Sequence, residues 1–362
     1  MLDVCLLGTS GMMPLPTRWC ASALARYNGR MVLVDCGEGT QIPLKLAGWG
    51  FKAIDAIFFT HYHADHIAGL PGLLLTIGNS GKETPLDLIG PPGLQYVVRS
   101  LLVICPALPF DVRAVELPLD PPPQPGAGIS APGSDSGAEG QAPGRSLGEG
   151  GWPHGGNHSA DAQAGPAAPQ KLSQLSDIEL FDNLTFQYAQ CDHRAPCLAY
   201  SFAISRQGEF HSDSAKSLGV PLQAWKVLQS GECVTLGDGR LVTPDMVLGP
   251  PRKGVKLGYC TDTRPVKALA KLFEGSDLLI CEGMYGDDAE IDNARAKKHM
   301  LFSEAAKLAK AAGAGELWLT HYSPSLQNPS AQVGPARRIF GNTVAGRDLM
   351  SKTIKFGSDS IL

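Results

Sequence analysis

Seven short runs rich in apolar and β-branched residues read as strands: "DVCLLG" at 3–8, "ALARYNGRMVLVD" at 23–35, "DAIFFT" at 55–60, "LTFQYA" at 184–189, "GVKLGYC" at 254–260, "DLLICE" at 277–282 and "ELWLT" at 316–320. The Asn-Gly pair inside the second run predicts a tight hairpin turn. Between these runs the apolar period lengthens. Leu70, Leu73, Leu74 and Ile77 recur at helical spacing after Asp65, and so do Ala305, Leu308, Ala309 and Ala312, with Ser303 as the expected N-cap and Gly313 as the residue just past the end. Strands alternating with helices point to an α/β fold.

The polar residues that follow these strands change the picture from architecture to chemistry. His61, His63, Asp65 and His66 come directly after "AIFFT", His193 after "LTFQYAQCD", Asp262 after "VKLGYCT" and His321 after "ELWLT". If the strands share a sheet, all seven can converge on one edge, where α/β folds place their sites. His61 and His63 are two apart and can face the same way in an extended segment. Asp65 and His66 then begin the following helix and can serve a second position. Imidazoles with carboxylates and no thiolate suit zinc or a similar transition metal. One aspartate, best Asp262, can bridge two ions about 3.5–4 Å apart, which is a hydrolase's arrangement. A single strand-end histidine is ordinarily a hydrogen-bonded core or surface residue. Three histidines and an aspartate within six positions have no such folding rationale.

Composition narrows the setting. The 362 residues allow a substantial core and, by length alone, two domains. The stretch 118–175, however, holds Gly or Pro at 22 of its 58 positions without a repeat. Above roughly 25–30% Pro plus Gly, with almost no aromatics, a segment cannot offset its ordering entropy, so 118–175 reads as a disordered insertion in one domain spanning 1–362. His154 and His158 fall inside it and read as solvated linker residues. The net charge of −4 gives no global sign of nucleic-acid binding, although residues 194–362 carry 21 Lys and Arg against 17 Asp and Glu. There is no basic, apolar leader and no apolar stretch near 18 residues, and nine cysteines form no C-x-x-C pair. A cytoplasmic protein without membrane attachment is expected.

With these residues placed, the chain resembles the metallo-β-lactamase superfamily, and within it the short-form ribonuclease Z family of tRNA 3′-processing endonucleases. "FFTHYHADHIAGLPGLL", "DHRAPCLAY", "YCTDTRP" and "LTHYSP" resemble the family's ligand segments in order, while "DCGEGTQ", "DTRP" and "KKHMLFSEAA" narrow the likeness to the ribonuclease Z branch. The resemblance implies a four-layer αβ/βα sandwich of two mixed sheets with a dinuclear metal site at one edge. It implies two zinc ions per subunit, one held by His61, His63 and His193 and the other by Asp65, His66 and His321, with Asp262 bridging. Asp35 is expected to orient a ligand from the second layer. His299 is implied to stand near the scissile phosphate, with Asp65 sharing proton transfer.

The implied activity is cleavage of the 3′ trailer from pre-tRNA through a metal-activated hydroxide, by a homodimer in which one subunit's arm presents substrate to the other. Residues 206–253 occupy the arm's place. There "PLQAWKV" replaces the Gly-Pro expected at the tip, and "SPSL" after His321 replaces the family's "SPR". These departures bear on tRNA grip and leave metal chemistry alone. Lys216, Lys226, Arg252, Lys253 and Lys256 are candidate RNA-backbone contacts. The alternative is a hydrolase of the same fold acting on small phosphodiesters; a third reading, a non-catalytic RNA-binding subunit, leaves the intact ligand set without a purpose.

Overall fold

A computed structural model of the chain describes residues 1–105, 107–119 and 175–357. The insertion expected over 118–175 lies outside the described residues except at its ends, as do His154 and His158. The strands, in chain order, are β1 (Leu2–Gly8), β2 (Ser22–Tyr27), β3 (Arg30–Val34), β4 (Ile54–Phe58), β5 (Leu86–Gly90), β6 (Val112–Glu116), β7 (Ile178–Phe181), β8 (Leu184–Gln190), β9 (Leu198–Arg206), β10 (Val234–Thr235), β11 (Leu241–Val242), β12 (Arg252–Cys260), β13 (Leu278–Glu282), β14 (Leu317–Thr320), β15 (Thr343–Ala345) and β16 (Met350–Ile354).

Two seven-stranded sheets form among the described residues, in the orders β16-β1-β2-β3-β4-β5-β6 and β15-β14-β13-β12-β9-β8-β7. Each sheet is antiparallel in one half and parallel in the other. The reason is local. Asn28 and Gly29, both at positive φ, close the β2–β3 hairpin, whereas the parallel pairs are joined by helices.

The strands bury both faces. Val4 and Leu6 point into the space between the sheets, where Phe58 meets the edges of Phe186, Tyr200 and Phe202 at ring separations of 4.9, 5.1 and 5.0 Å. Cys5 and Leu7 face the other way, toward helices Gln41–Ala47, Leu70–Asn79 and Leu94–Leu102. On the second sheet Leu279 and Cys281 meet Phe302, Ala305 and Ala309 of helix Phe302–Ala311. The layers are therefore helix, sheet, sheet, helix, the αβ/βα sandwich. Leu70, Leu73, Leu74 and Ile77 are all fully buried, each contributing about 1.5–3 kcal/mol.

One capping expectation is corrected. Helix Phe302–Ala311 takes Leu301 as its N-cap, and Ser303 lies inside, its hydroxyl donating to Asp288 at 2.6 Å. The Leu301 N–H is instead taken by Glu304 at 3.0 Å. Gly313, at φ 61°, does follow the helix end.

Residues 207–251 form one long excursion between β9 and β12, which are adjacent and antiparallel. The excursion has its own small core: Ala215, Val220, Leu228, Val242 and Val247 are buried, with Phe210 packed on Trp225 at 5.1 Å. No helix among the described residues is long and apolar enough to cross a membrane. All nine cysteines are free.

Candidate metal centre

Six strand ends, β3 and β4 from the first sheet and β8, β12, β13 and β14 from the second, meet at one edge of the sandwich. Past β4, Thr60 donates its N–H to Asp35 at 2.8 Å, and His61 and then His63, the latter with extended backbone, precede the short helix Ala64–Ile67. That helix is pulled against the loop after β3, because Cys36 donates to the His66 carbonyl at 2.7 Å. Gly37 makes the approach possible, since a Cβ there would stand 2.0 Å from the Asp65 carbonyl oxygen. Three site residues accept the left-handed backbone region: Asp35 at φ 60°, Asp262 at 38° and His321 at 57°. Such conformations cost about 1–3 kcal/mol each and concentrate at functional sites.

All seven strand-end residues come together around Asp262. Its Oδ2 lies 3.6 Å from His61 Nε2 and 3.8 Å from His193 Nε2, and His63 Nδ1 stands 2.8 Å from His61 Nε2. Its Oδ1 lies 3.4 Å from His66 Nε2 and 3.0 Å from His321 Nε2, while Asp65 Oδ2 is 3.3 and 3.4 Å from the same two nitrogens. Two ligands of a tetrahedral zinc with bonds of ~2.0–2.1 Å stand about 3.4 Å apart, so both groups have the spacing of donors that share an ion.

The outward nitrogens of two rings are already committed. His66 Nδ1 donates to Asp35 Oδ2 at 2.8 Å and His193 Nδ1 to the Lys298 carbonyl at 3.3 Å, leaving Nε2 of each ring for the centre. The inward atoms have no hydrogen-bond partner although buried: His66 Nε2, His193 Nε2, His321 Nε2 and Asp262 Oδ1. Buried polar atoms left this way are costly, and a cation is the partner that satisfies them together. The donor set therefore fits a metal, and two groups flanking one carboxylate fit a pair.

Protonation divides the same residues. Burial, reinforced by the like charge of His66, holds His61 well below the ordinary imidazole value, and burial likewise lowers His63 and His193. Burial works against a charged His66 and His321 too. There the carboxylates prevail, raising His66 well above its usual range and pushing His321 up to about 10. Asp65 and Asp262 are correspondingly held low, against the effect of their own burial, by the imidazoles around them. Without a metal, the carboxylates of Asp65 and Asp262 thus favour the protonated forms of His66 and His321.

His299, just upstream of helix Phe302–Ala311, is nine-tenths buried beside the centre, with Nδ1 3.9 Å from Asp262 Oδ2. That nitrogen also donates to Glu282 Oε2 at 3.2 Å. Glu282 is fully buried and takes the Met300 N–H at 3.2 Å and the Thr263 N–H at 2.5 Å. Sequence reasoning missed it. The clue was available, because Glu282 ends "DLLICE" just as the ligands follow the ends of their strands. The five basic residues named for RNA do not gather here. Lys216 pairs with Asp213 at 3.3 Å and Lys226 lies on helix Leu222–Gln229, both in the excursion. Arg252, Lys253 and Lys256 lie along β12, bonded to the Gln207 carbonyl, Asp277 and the Glu274 carbonyl at 3.0 Å each.

The chain is similar to known proteins over nearly its whole length. A family model described as the anti-Pycsar protein Apyc1 matches residues 2–98, and one described as a β-lactamase superfamily domain matches residues 232–322. Ribonuclease Z of Lachnospira eligens is 45% identical over 360 residues, covering 99% of this chain and 100% of the relative. Ribonuclease Z of Clostridium acetobutylicum is 43% identical over 356 residues, covering 98% and 99%. Among solved structures, human tRNase Z, short form, shares the fold with a TM-score of 0.58 at 24% identity, covering 98% of this chain and 99% of its own.

Proposed function

The chain belongs to the ribonuclease Z family of the metallo-β-lactamase superfamily, and from that premise we propose that it is a zinc-dependent endoribonuclease removing the 3′ trailer from precursor tRNA. The observation that carries this reading is the two-sided ligand set around Asp262, in a chain that aligns with ribonuclease Z relatives over nearly its whole length. His61, His63 and His193 would hold one zinc through their inward nitrogens. Asp65, His66 and His321 would hold the second, with Asp262 offering one oxygen to each. When bound, such a pair supplies Lewis acidity, making a water acidic enough to attack near neutral pH and balancing the charge that builds on the phosphate.

The chain's own residues do the rest. Asp35 fixes the His66 ring and the Lys298 carbonyl fixes the His193 ring, so each presents Nε2. The Asp65 carboxylate, anchored by the Met12 N–H at 2.6 Å, can take a proton from the attacking water. His299, with Nδ1 committed to Glu282, keeps Nε2 for the departing 3′ oxygen and delivers a proton there, while Glu282 balances the charge on the ring. The excursion 206–253 would serve as the arm that holds the tRNA, with Lys216, Lys226, Arg252, Lys253 and Lys256 giving a salt-dependent contribution. Assembly as a homodimer and action in the cytoplasm belong to the same proposal; the nine free thiols accord with a reducing compartment.

The test is incubation of purified protein with a 3′-extended pre-tRNA and mapping of the ends. One cut leaving a 3′-hydroxyl tRNA and a 5′-phosphorylated trailer is expected, abolished by chelation, restored by zinc and absent in Asp65→Ala. Intact pre-tRNA, together with Asp65-dependent hydrolysis of bis(p-nitrophenyl) phosphate, would move the site to small phosphodiesters.

A further inference from the structure

The "DTRP" segment contributes more than its aspartate. Arg264 stands two residues past Asp262, and it is largely buried: its side chain and that of Glu304 are each 14% exposed. Its guanidinium forms a two-pronged ion pair with Glu304, one prong being Nη1 to Oε2 at 2.8 Å, and Nη1 also donates to the His299 carbonyl at 2.5 Å. Glu304 in turn takes the Leu301 N–H at 3.0 Å, so the pair grips the His299 segment on both sides. The Arg264 backbone N–H donates to the Asp192 carbonyl at 3.0 Å, next to His193, and the Asp192 N–H donates to the Thr263 hydroxyl at 2.9 Å. Three loops that carry Asp262, His193 and His299 therefore meet on one residue. Every one of these bonds goes to protein groups.

We propose that Arg264 is a positioning residue for proton delivery: through the His299 carbonyl and Glu304 it sets the distance and angle of the His299 ring relative to the Asp262 turn. This rests on the reading of His299 as the proton donor to the departing oxygen. A planar guanidinium makes three fixed bonds in this arrangement, and a lysine ammonium cannot reproduce the fork. Displacing a reacting group by about 1 Å can cost on the order of 100-fold in rate.

The experiment compares Arg264→Lys, Arg264→Gln and His299→Ala with wild type on two substrates, after the metal content of each has been measured. Pre-tRNA has a poor leaving oxygen that needs a proton. Bis(p-nitrophenyl) phosphate releases a stable phenolate that does not. Arg264→Lys is expected to lose about 10–100-fold in kcat on pre-tRNA, with KM little changed, and at least tenfold less on the aryl ester. His299→Ala is expected to show the same imbalance, more steeply. Equal losses on both substrates in the Arg264 variants, with or without loss of metal, would mean that Arg264 merely supports the centre and would overturn the assignment. The imbalance in His299→Ala with wild-type behaviour in Arg264→Lys and Arg264→Gln would overturn it as well and leave the His299 reading standing. Equal losses in His299→Ala would remove that reading and the assignment together.

Discussion

At the scale of single residues, the candidate centre rests on buried anchors. Asp35 accepts from the Thr60 N–H and hydroxyl and from His66 Nδ1, all while fully buried, so it is a rigid anchor for one imidazole. Asp35→Ala is expected to weaken zinc affinity by about 10–100-fold, read by competition with a chromophoric chelator; wild-type affinity would show that His66 needs no such anchor. Protonation gives a second prediction. In the chelated protein the folded pKa of His321 is raised from 6.5 to about 10, so its ion pairing contributes stability that is fully present below pH 6.5 and lost as pH rises through 10. Asp65 is depressed below 3.8, so its contribution is present above that value and lost as pH falls below it. The thermal midpoint of the chelated protein should therefore fall between pH 7 and 10. Zinc should flatten that fall, because the metal replaces the proton on His321. A flat profile without metal would contradict the proton-held cluster.

How much of this was legible in the sequence follows from what each residue type can mean alone. Three histidines and an aspartate in six positions declare themselves. Glu282 and Arg264 do not, because a glutamate at a strand end and an arginine in a turn acquire roles only from partners 17 and 35 positions away.

At the scale of elements, the strands that alternate strongly are found where their pattern predicts, and the hairpin at Asn28-Gly29 with them. β9 is absent from the predicted strands although it sits beside β12 in the second sheet; its first five residues are all buried, so "LAYSFAISR" lacks the alternation that marks a half-exposed strand. β16 was missed for a physical reason. The middle three residues of "MSKTI" are polar and exposed, and the segment becomes a strand by pairing along β1, at the other end of the chain. Ser303 is a cap by residue type, yet Asp288, 15 positions upstream, claims its hydroxyl.

The excursion between β9 and β12 makes its own case. The Trp225 that stands where a Gly-Pro tip was expected is used for packing, meeting Phe210 at a tilt of 44° and donating Nε1–H to the Val220 carbonyl at 3.1 Å. Trp225→Ala removes an aromatic pair worth about 0.5–1.5 kcal/mol beyond its buried area. The excursion should then become the first site of limited proteolysis, and KM for pre-tRNA should rise while hydrolysis of bis(p-nitrophenyl) phosphate persists. Unchanged KM for pre-tRNA with the excursion demonstrably open would remove it from substrate binding.

At the scale of the whole molecule, two sheets of like construction face each other, and the ends of β3 and β4 meet those of β8, β12, β13 and β14 across their common edge. The Thr261 hydroxyl donates to the Thr60 hydroxyl at 3.2 Å, and the Leu198 N–H to the Thr60 carbonyl at 2.9 Å, tying the halves directly behind the ligands. Neither half holds all seven residues of the cluster: His61, His63, Asp65 and His66 come from one, and His193, Asp262 and His321 from the other. A metal held by these residues would couple its binding to the mutual docking of the sheets.

Metal content per chain, measured by elemental analysis of wild type beside Asp262→Ala, tests this account most directly. Two zinc ions in the wild type and one or none in the variant are predicted, since each oxygen of Asp262 serves a different group of imidazoles. Two ions retained by Asp262→Ala, or a fully active wild type carrying a single ion, would contradict a pair organised around that carboxylate.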